Sequence, residues 1–169
     1  MLKHRLLLLL TLCLTSATSV SEETLADYQL YLIRHAEKQT TDIDPALTHC
    51  GLQRAKFLAR YFSDKQIKTV YTTDYKRTQQ TASAISQANE LTLQEYDPGK
   101  LSELVTRVKN QQQSAVVVGH SNTTPNLAAL IISDDVAPLS EEIYDTIYYI
   151  QVSGSETSLR VLKQDFSCQ

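Results

Sequence analysis

Basic charge is scarce in this chain. Of its 169 residues, 16 are Lys or Arg against 19 Asp or Glu, a formal net charge of −3. Nucleic acids and anionic membrane surfaces are gripped by broad basic faces, so neither is an expected partner, and any basic patch has to be local. Long apolar runs are scarce too. The N-terminal one, Leu6–Leu14, is too short to cross a bilayer as a permanent helix. Cysteine is sparse: Cys13, Cys50 and Cys168 have no metal-site spacing, and no metal is expected. Repeats and low-complexity stretches are absent after the N-terminal segment, leaving one domain with a sizeable core as the organisation this length fits.

What is present at the N-terminus is a three-part pattern. Lys3 and Arg5 precede the apolar run, and small polar residues follow around Ala17 and Ser19. That is the arrangement of a secretory signal peptide over residues 1–19, with a single domain over 20–169. The expected location is exported, periplasmic or secreted, with no stable membrane insertion once the leader is removed. The mature chain would carry 14 basic and 19 acidic residues, net −5. Cys50 and Cys168 would survive, and in an oxidising compartment they could pair or never meet.

Along the domain, strand patterns alternate with helical ones. Gln29–Ile33, Thr69–Thr72, Leu91–Glu95 and the β-branched Ser114–Val118 read as strands. Leu47–Phe62 reads as a helix with Leu52, Ala55, Leu58, Ala59 and Phe62 on one face, and Lys76–Asn89 as another with Ala82, Ile85 and Ala88. A third helix carries Leu101, Leu104, Val105 and Val108. A fourth starts near Thr124 with Pro125 in its first position. Thr146–Val152 and Leu159–Leu162 flank a turn. The expected fold is α/β: a three-layer α/β/α sandwich with a mostly parallel central sheet and an antiparallel C-terminal strand pair. The apolar run Ser114–Val118 suits the sheet centre.

In such sheets the carboxyl ends of the strands form the binding edge. Here those ends carry Arg34-His35, then Arg77 at a helix start, then Gly119-His120-Ser121-Asn122. The topology therefore gathers two imidazoles and two guanidiniums in an acidic protein. Guanidinium forks and helix N-termini suit phosphate oxygens, and a neutral imidazole held by a backbone carbonyl can attack phosphorus. A protonated second imidazole can share the transition-state charge, and a leaving alkoxide needs an acid. Gly119, lacking a side chain, permits a ligand to approach the backbone. His4 and His49 read as incidental. Asp134, Asp135, Glu141, Glu142 and Asp145 read as a solvated loop, and Tyr144, Tyr148 and Tyr149 as strand packing or pocket lining.

YLIRHAE (31–37), LTHCGLQRA (47–55), YTTDYKRTQQTA (71–82) and VVVGHSN (116–122) together resemble the histidine phosphatase superfamily, the phosphoglycerate-mutase-like group. The resemblance implies a covalent phosphohistidine on His35, phosphate held by Arg34, Arg77, His120 and Asn122, and neither metal nor organic cofactor. It is the resemblance that singles out His35 over His120. Its general acid lies after the third strand, where Asp97 is favoured over Glu95; Glu37, beside the Arg-His pair, is a third candidate. A phosphatase acting on a small phosphorylated substrate or a phosphoprotein is the expected function. A non-catalytic module that binds or senses a phosphorylated ligand is the alternative.

Overall fold

A computed structural model describes residues 27–40 and 42–168; the leader, with Cys13, lies outside them. In chain order the elements are β1 (Tyr28–Arg34), α1 (His49–Tyr61), β2 (Thr69–Thr72), α2 (Lys76–Ala88), β3 (Thr92–Glu95), α3 (Leu101–Gln111), β4 (Ala115–Gly119), α4 (Thr123–Ile132), β5 (Thr146–Ser153) and β6 (Glu156–Lys163). They build one six-stranded sheet in the order β3-β2-β4-β1-β5-β6. The first four strands in that order run parallel. β5 is antiparallel to both β1 and β6.

Strand alternation explains the layers. Leu30 and Leu32 of β1 point to one face with Val117, Leu104, Leu127 and Ile131, under α3 and α4. Tyr31 and Ile33 point to the other with Val116, Val118, Leu58, Phe62 and Ile85, under α1 and α2. Leu30, Leu32 and Ile33 are fully buried, each worth roughly 2–3 kcal/mol in transfer terms. β4 sits between β2 and β1, covered on both faces, which is why its run is uniformly apolar.

Local chemistry sets the helix ends. Thr48 caps α1, its hydroxyl accepting from the Gly51 amide at 3.0 Å. α3 and α4 close on left-handed residues, Gln112 and Ser133. Several sequence expectations shift. α4 begins at Thr123 with Asn122 at its N-cap, so Pro125 is the third helical residue and Thr124 is no cap. His49 opens α1, two residues later than the expected start at Leu47. Leu52 and Ala88 are exposed, because each falls at the margin of its helix's apolar stripe. Among the described residues no helix is long and apolar enough to cross a membrane.

The C-terminal tail returns to α1. Cys168 forms a disulfide with Cys50 across 118 residues of chain. Phe166 lies 4.5 Å from the Arg54 guanidinium, and Gln164 accepts from Arg54 at 2.9 Å.

Candidate active site

The parallel strands end where the topology rule puts the binding edge. Arg34, last in β1, is in register with Gly119, last in β4, and the His35 amide donates to the Gly119 carbonyl at 2.9 Å. His35 and His120 therefore leave adjacent strands side by side, their ring centroids 5.6 Å apart. Arg77 comes from the first turn of α2, beyond the end of β2.

The peptide between His35 and Glu37 is pinned from two sides. The Ala36 amide donates to the Thr81 hydroxyl, which itself donates to the Arg77 carbonyl at 2.8 Å. Thr48 donates through its amide to the Glu37 carbonyl, and Gly51 packs so closely that a Cβ there would stand 2.2 Å from that oxygen. Thr81 and Gly51 thus fix the backbone beside His35.

His35 is 2% exposed. Its Nδ1 lies 2.7 Å from the Ala36 carbonyl oxygen. A carbonyl can only accept, so Nδ1 bears the proton and Nε2 keeps its lone pair. Burial, then the positive charge of Arg34, His120 and Arg77, lowers the His35 pKa to about 3, against the carbonyl contact that opposes it. The ring is neutral over the physiological range. His120 is lowered to about 4, by burial first and then by Arg77 and Arg34.

Three buried nitrogens in this cluster have no hydrogen-bond partner: Arg34 Nε, Arg77 Nε and His120 Nε2. Buried donors left unpaired cost about 1–3 kcal/mol each, so three among mutually interacting groups mark a place built for an acceptor. A tetrahedral oxyanion supplies one. Phosphate chemistry fits this set: a neutral nucleophilic nitrogen beside converging guanidinium donors and a second imidazole. Among the described residues no group of three or more His, Cys, Asp or Glu could hold a metal ion.

Each guanidinium is also braced by a carboxylate. Arg77 Nη1 pairs with Asp44 at 3.5 Å, and Asp44 also accepts from the Lys76 amide at the start of α2. Arg34, 1% exposed, donates through Nη1 to the carbonyls of Ser140, Glu141 and Ile143, and through Nη2 to Glu141 Oε2 at 2.8 Å. The Tyr144 ring stacks 4.0 Å from its carbon. Glu141 also accepts from the Ser121 hydroxyl. The 133–145 connection is therefore no mere solvated loop, since Glu141 and Tyr144 reach the site. Tyr148 and Tyr149 pack the sheet faces instead. Sequence reading passed over Asp44 and Glu141 because both lie in irregular segments without periodicity.

The carboxylates nominated from sequence have hydrogen-bond partners of their own. Asp97 is exposed, its Oδ1 accepting from the Gly99 amide at 2.8 Å in a local turn. Glu95 is exposed at an edge strand, within 3.5 Å of Gln79. Glu37 is chelated by Arg54 at 2.6–3.0 Å. Asn122 is exposed at the α4 N-cap and makes no cap bond. Gly119 serves a different need from the one expected: a Cβ there would meet the hydroxyls of Tyr96 and Thr124 at 2.9 Å and Thr123 at 3.1 Å, so protein, not ligand, demands the glycine.

A search of curated proteins returns no match. Among solved structures, the protein histidine phosphatase SixA complexed with tungstate is 16% identical, with a TM-score of 0.66, covering 80% of this chain and 96% of that one. The alpha-ribazole phosphatase from Shigella flexneri is 16% identical with a TM-score of 0.67, covering 80% and 96%. The mycobacterial glucosyl-3-phosphoglycerate phosphatase is 11% identical with a TM-score of 0.58, covering 83% and 100%. At such identities these likenesses speak for the fold. Residues 30–114, half the chain and the span that carries Arg34, His35 and Arg77, match the histidine phosphatase superfamily, branch 1, and to that family of phosphatases the chain belongs.

Proposed function

We propose that this phosphatase hydrolyses a phosphomonoester, or phosphohistidine in a protein, through a covalent phosphohistidine on His35. The carrying observation is the trio of unpartnered buried nitrogens, Arg34 Nε, Arg77 Nε and His120 Nε2, gathered around a neutral His35. The phosphoryl oxygens take those donors, two of them on charged guanidiniums that favour an anionic acceptor. His35 Nε2 then attacks phosphorus while Nδ1 stays bonded to the Ala36 carbonyl, so the positive charge the ring gains is stabilised as it forms. The P–O bond, or P–N bond for phosphohistidine, breaks. Water attacks the phosphorus of the intermediate and releases inorganic phosphate, restoring His35.

A neutral His120 beside an anion is drawn toward protonation, and its Nε2 then donates to an equatorial oxygen through the transition state. Which carboxyl serves an ester leaving group is a separate question, because Glu37 is held by Arg54 and Asp97 by its own turn. That same fact favours a second reading, a phosphate-binding module without turnover. Imidazole leaves more readily than an alkoxide, so a phosphohistidine substrate depends least on such an acid. The full chain also carries the leader pattern, and the Cys50–Cys168 bond suits an oxidising compartment, which supports export.

The test is phosphate release from p-nitrophenyl phosphate by wild type and His35→Ala. Wild type should turn over and accumulate an acid-labile, alkali-stable phosphoryl group, with activity falling more than about a thousandfold in the variant. A wild type that binds vanadate yet turns over neither this ester nor a phosphohistidine peptide would hand the case to the binding module.

A further inference from the structure

We propose that Glu141 is the proton donor to the leaving group, a role that rests on the phosphatase reading above. In-line displacement fixes where such a donor must stand. His35 is the buried floor of the site, 2% exposed, so a leaving group opposite its attacking nitrogen lies toward solvent, at the mouth. Glu141 is at that mouth. Its carboxylate spans Arg34 Nη2, at 2.8 Å, and the Ser121 hydroxyl one residue beyond His120, while its side chain keeps 73% of its exposure. No described contact brings Glu37, Glu95 or Asp97 to His35, His120, Arg34 or Arg77.

Phosphate binding changes what Glu141 holds. The fork by which Arg34 takes two phosphate oxygens is its Nε–Nη2 edge. Nε is unpartnered, and Nη2 is the atom Glu141 occupies. An oxyanion on that edge shares Nη2 with the carboxylate and sets a new negative charge beside it, while Ser121 keeps its hold on Glu141. In this structure the Ser121 hydrogen bond, then Arg34 and Lys38, hold the Glu141 pKa below its ordinary value. Sharing the guanidinium with a dianion and having that dianion as neighbour both push it up, so the carboxyl takes a proton in the complex.

The step balances. His35 Nε2 forms the N–P bond, the P–O bond breaks, and the leaving oxygen takes the Glu141 proton. In the second half the carboxylate takes a proton from the attacking water as the P–N bond breaks, and the carboxyl is restored.

The experiment uses Glu141→Gln, with Asp97→Asn beside it, on aryl phosphates from p-nitrophenyl to p-methylphenyl phosphate. Vanadate inhibition of each variant checks that the pocket is intact. With Glu141 as donor, Glu141→Gln loses about a hundredfold in kcat/KM, which reports the phosphorylation half alone, on the p-methylphenyl ester and under about fivefold on the p-nitrophenyl ester. The alkaline fall in wild-type kcat disappears with it, and Asp97→Asn leaves the dependence on leaving group unchanged. A uniform fall across the series makes Glu141 a brace for Arg34, and a uniform rise makes it a plug; either overturns the proposal, as does a steepened series in Asp97→Asn. Loss of vanadate inhibition in Glu141→Gln likewise makes it a brace. A wild type inert on the aryl esters and on a phosphohistidine peptide overturns the phosphatase reading as well, whereas an active wild type with a flat response in Glu141→Gln overturns only this inference.

Discussion

A buried histidine with a depressed pKa links catalysis to stability. His35 titrates near 3 in the folded protein and His120 near 4, against 6.5 for an unperturbed ring. The unfolded chain therefore binds more protons than the native one between pH 6.5 and about 3. Stability rises with pH wherever the unfolded state holds the extra protons, so here it falls as the medium is acidified through that window. Each ring contributes a slope of at most about 1.4 kcal/mol per pH unit. His35→Ala removes one of the two sources. Urea midpoints at pH 7 and pH 4.5 should differ less in the variant than in wild type. An unchanged difference would mean that the His35 ring is not held neutral by its surroundings.

At the scale of elements, the site depends on how closely α1 approaches the end of β1. Gly51 allows that approach, because the atom its Cβ would meet at 2.2 Å is the backbone carbonyl of Glu37, which cannot turn aside. Gly51→Ala should cost about 2–3 kcal/mol as an overpacked contact and also lower phosphatase activity, since Glu37 lies two residues from His35. Gly154→Ala is the comparison. It sits in the β5–β6 turn at φ +57° with nothing within 4 Å, so it should cost only about 1 kcal/mol of backbone strain and leave activity unchanged. Thermal unfolding and turnover measured on both variants check this, and equal activity losses would break the argument. The same elements show why the sequence was readable where it was. β1 and β4 are legible as short apolar runs covered on both faces, the two long helices because burial imposes period 3.6, and the parallel rule then converges Arg34, His35, Arg77 and His120. Asp44 and Glu141 carry no such signal, since a carboxylate in an irregular loop reads the same whether it meets solvent or a guanidinium. Gly119 was legible as a close approach, but its partner was not, because Tyr96 and Thr123 are brought to it only by tertiary packing.

For the whole molecule the chain closes on itself at the C-terminus. After β6 the tail runs back under α1, where Gln164 and Phe166 both engage Arg54 and Cys168 bonds Cys50. Arg54 in turn chelates Glu37, so the tail stands behind the segment that carries His35. Linking residues 118 apart removes a large loop from the unfolded ensemble, which in the chain-entropy account stabilises by about 5 kcal/mol. Cys168→Ser should therefore lower the melting temperature by many degrees, and a reductant should do the same to wild type but nothing further to the variant. Because Arg54 keeps its contacts to Glu37, Gln164 and Phe166 without the bond, turnover well below the melting transition should fall by no more than about twofold. A variant as stable as wild type would show that the two thiols do not pair in solution. A large loss of activity in a variant that is still folded would show that the disulfide itself, and not the packing of Gln164 and Phe166, holds Arg54 against Glu37.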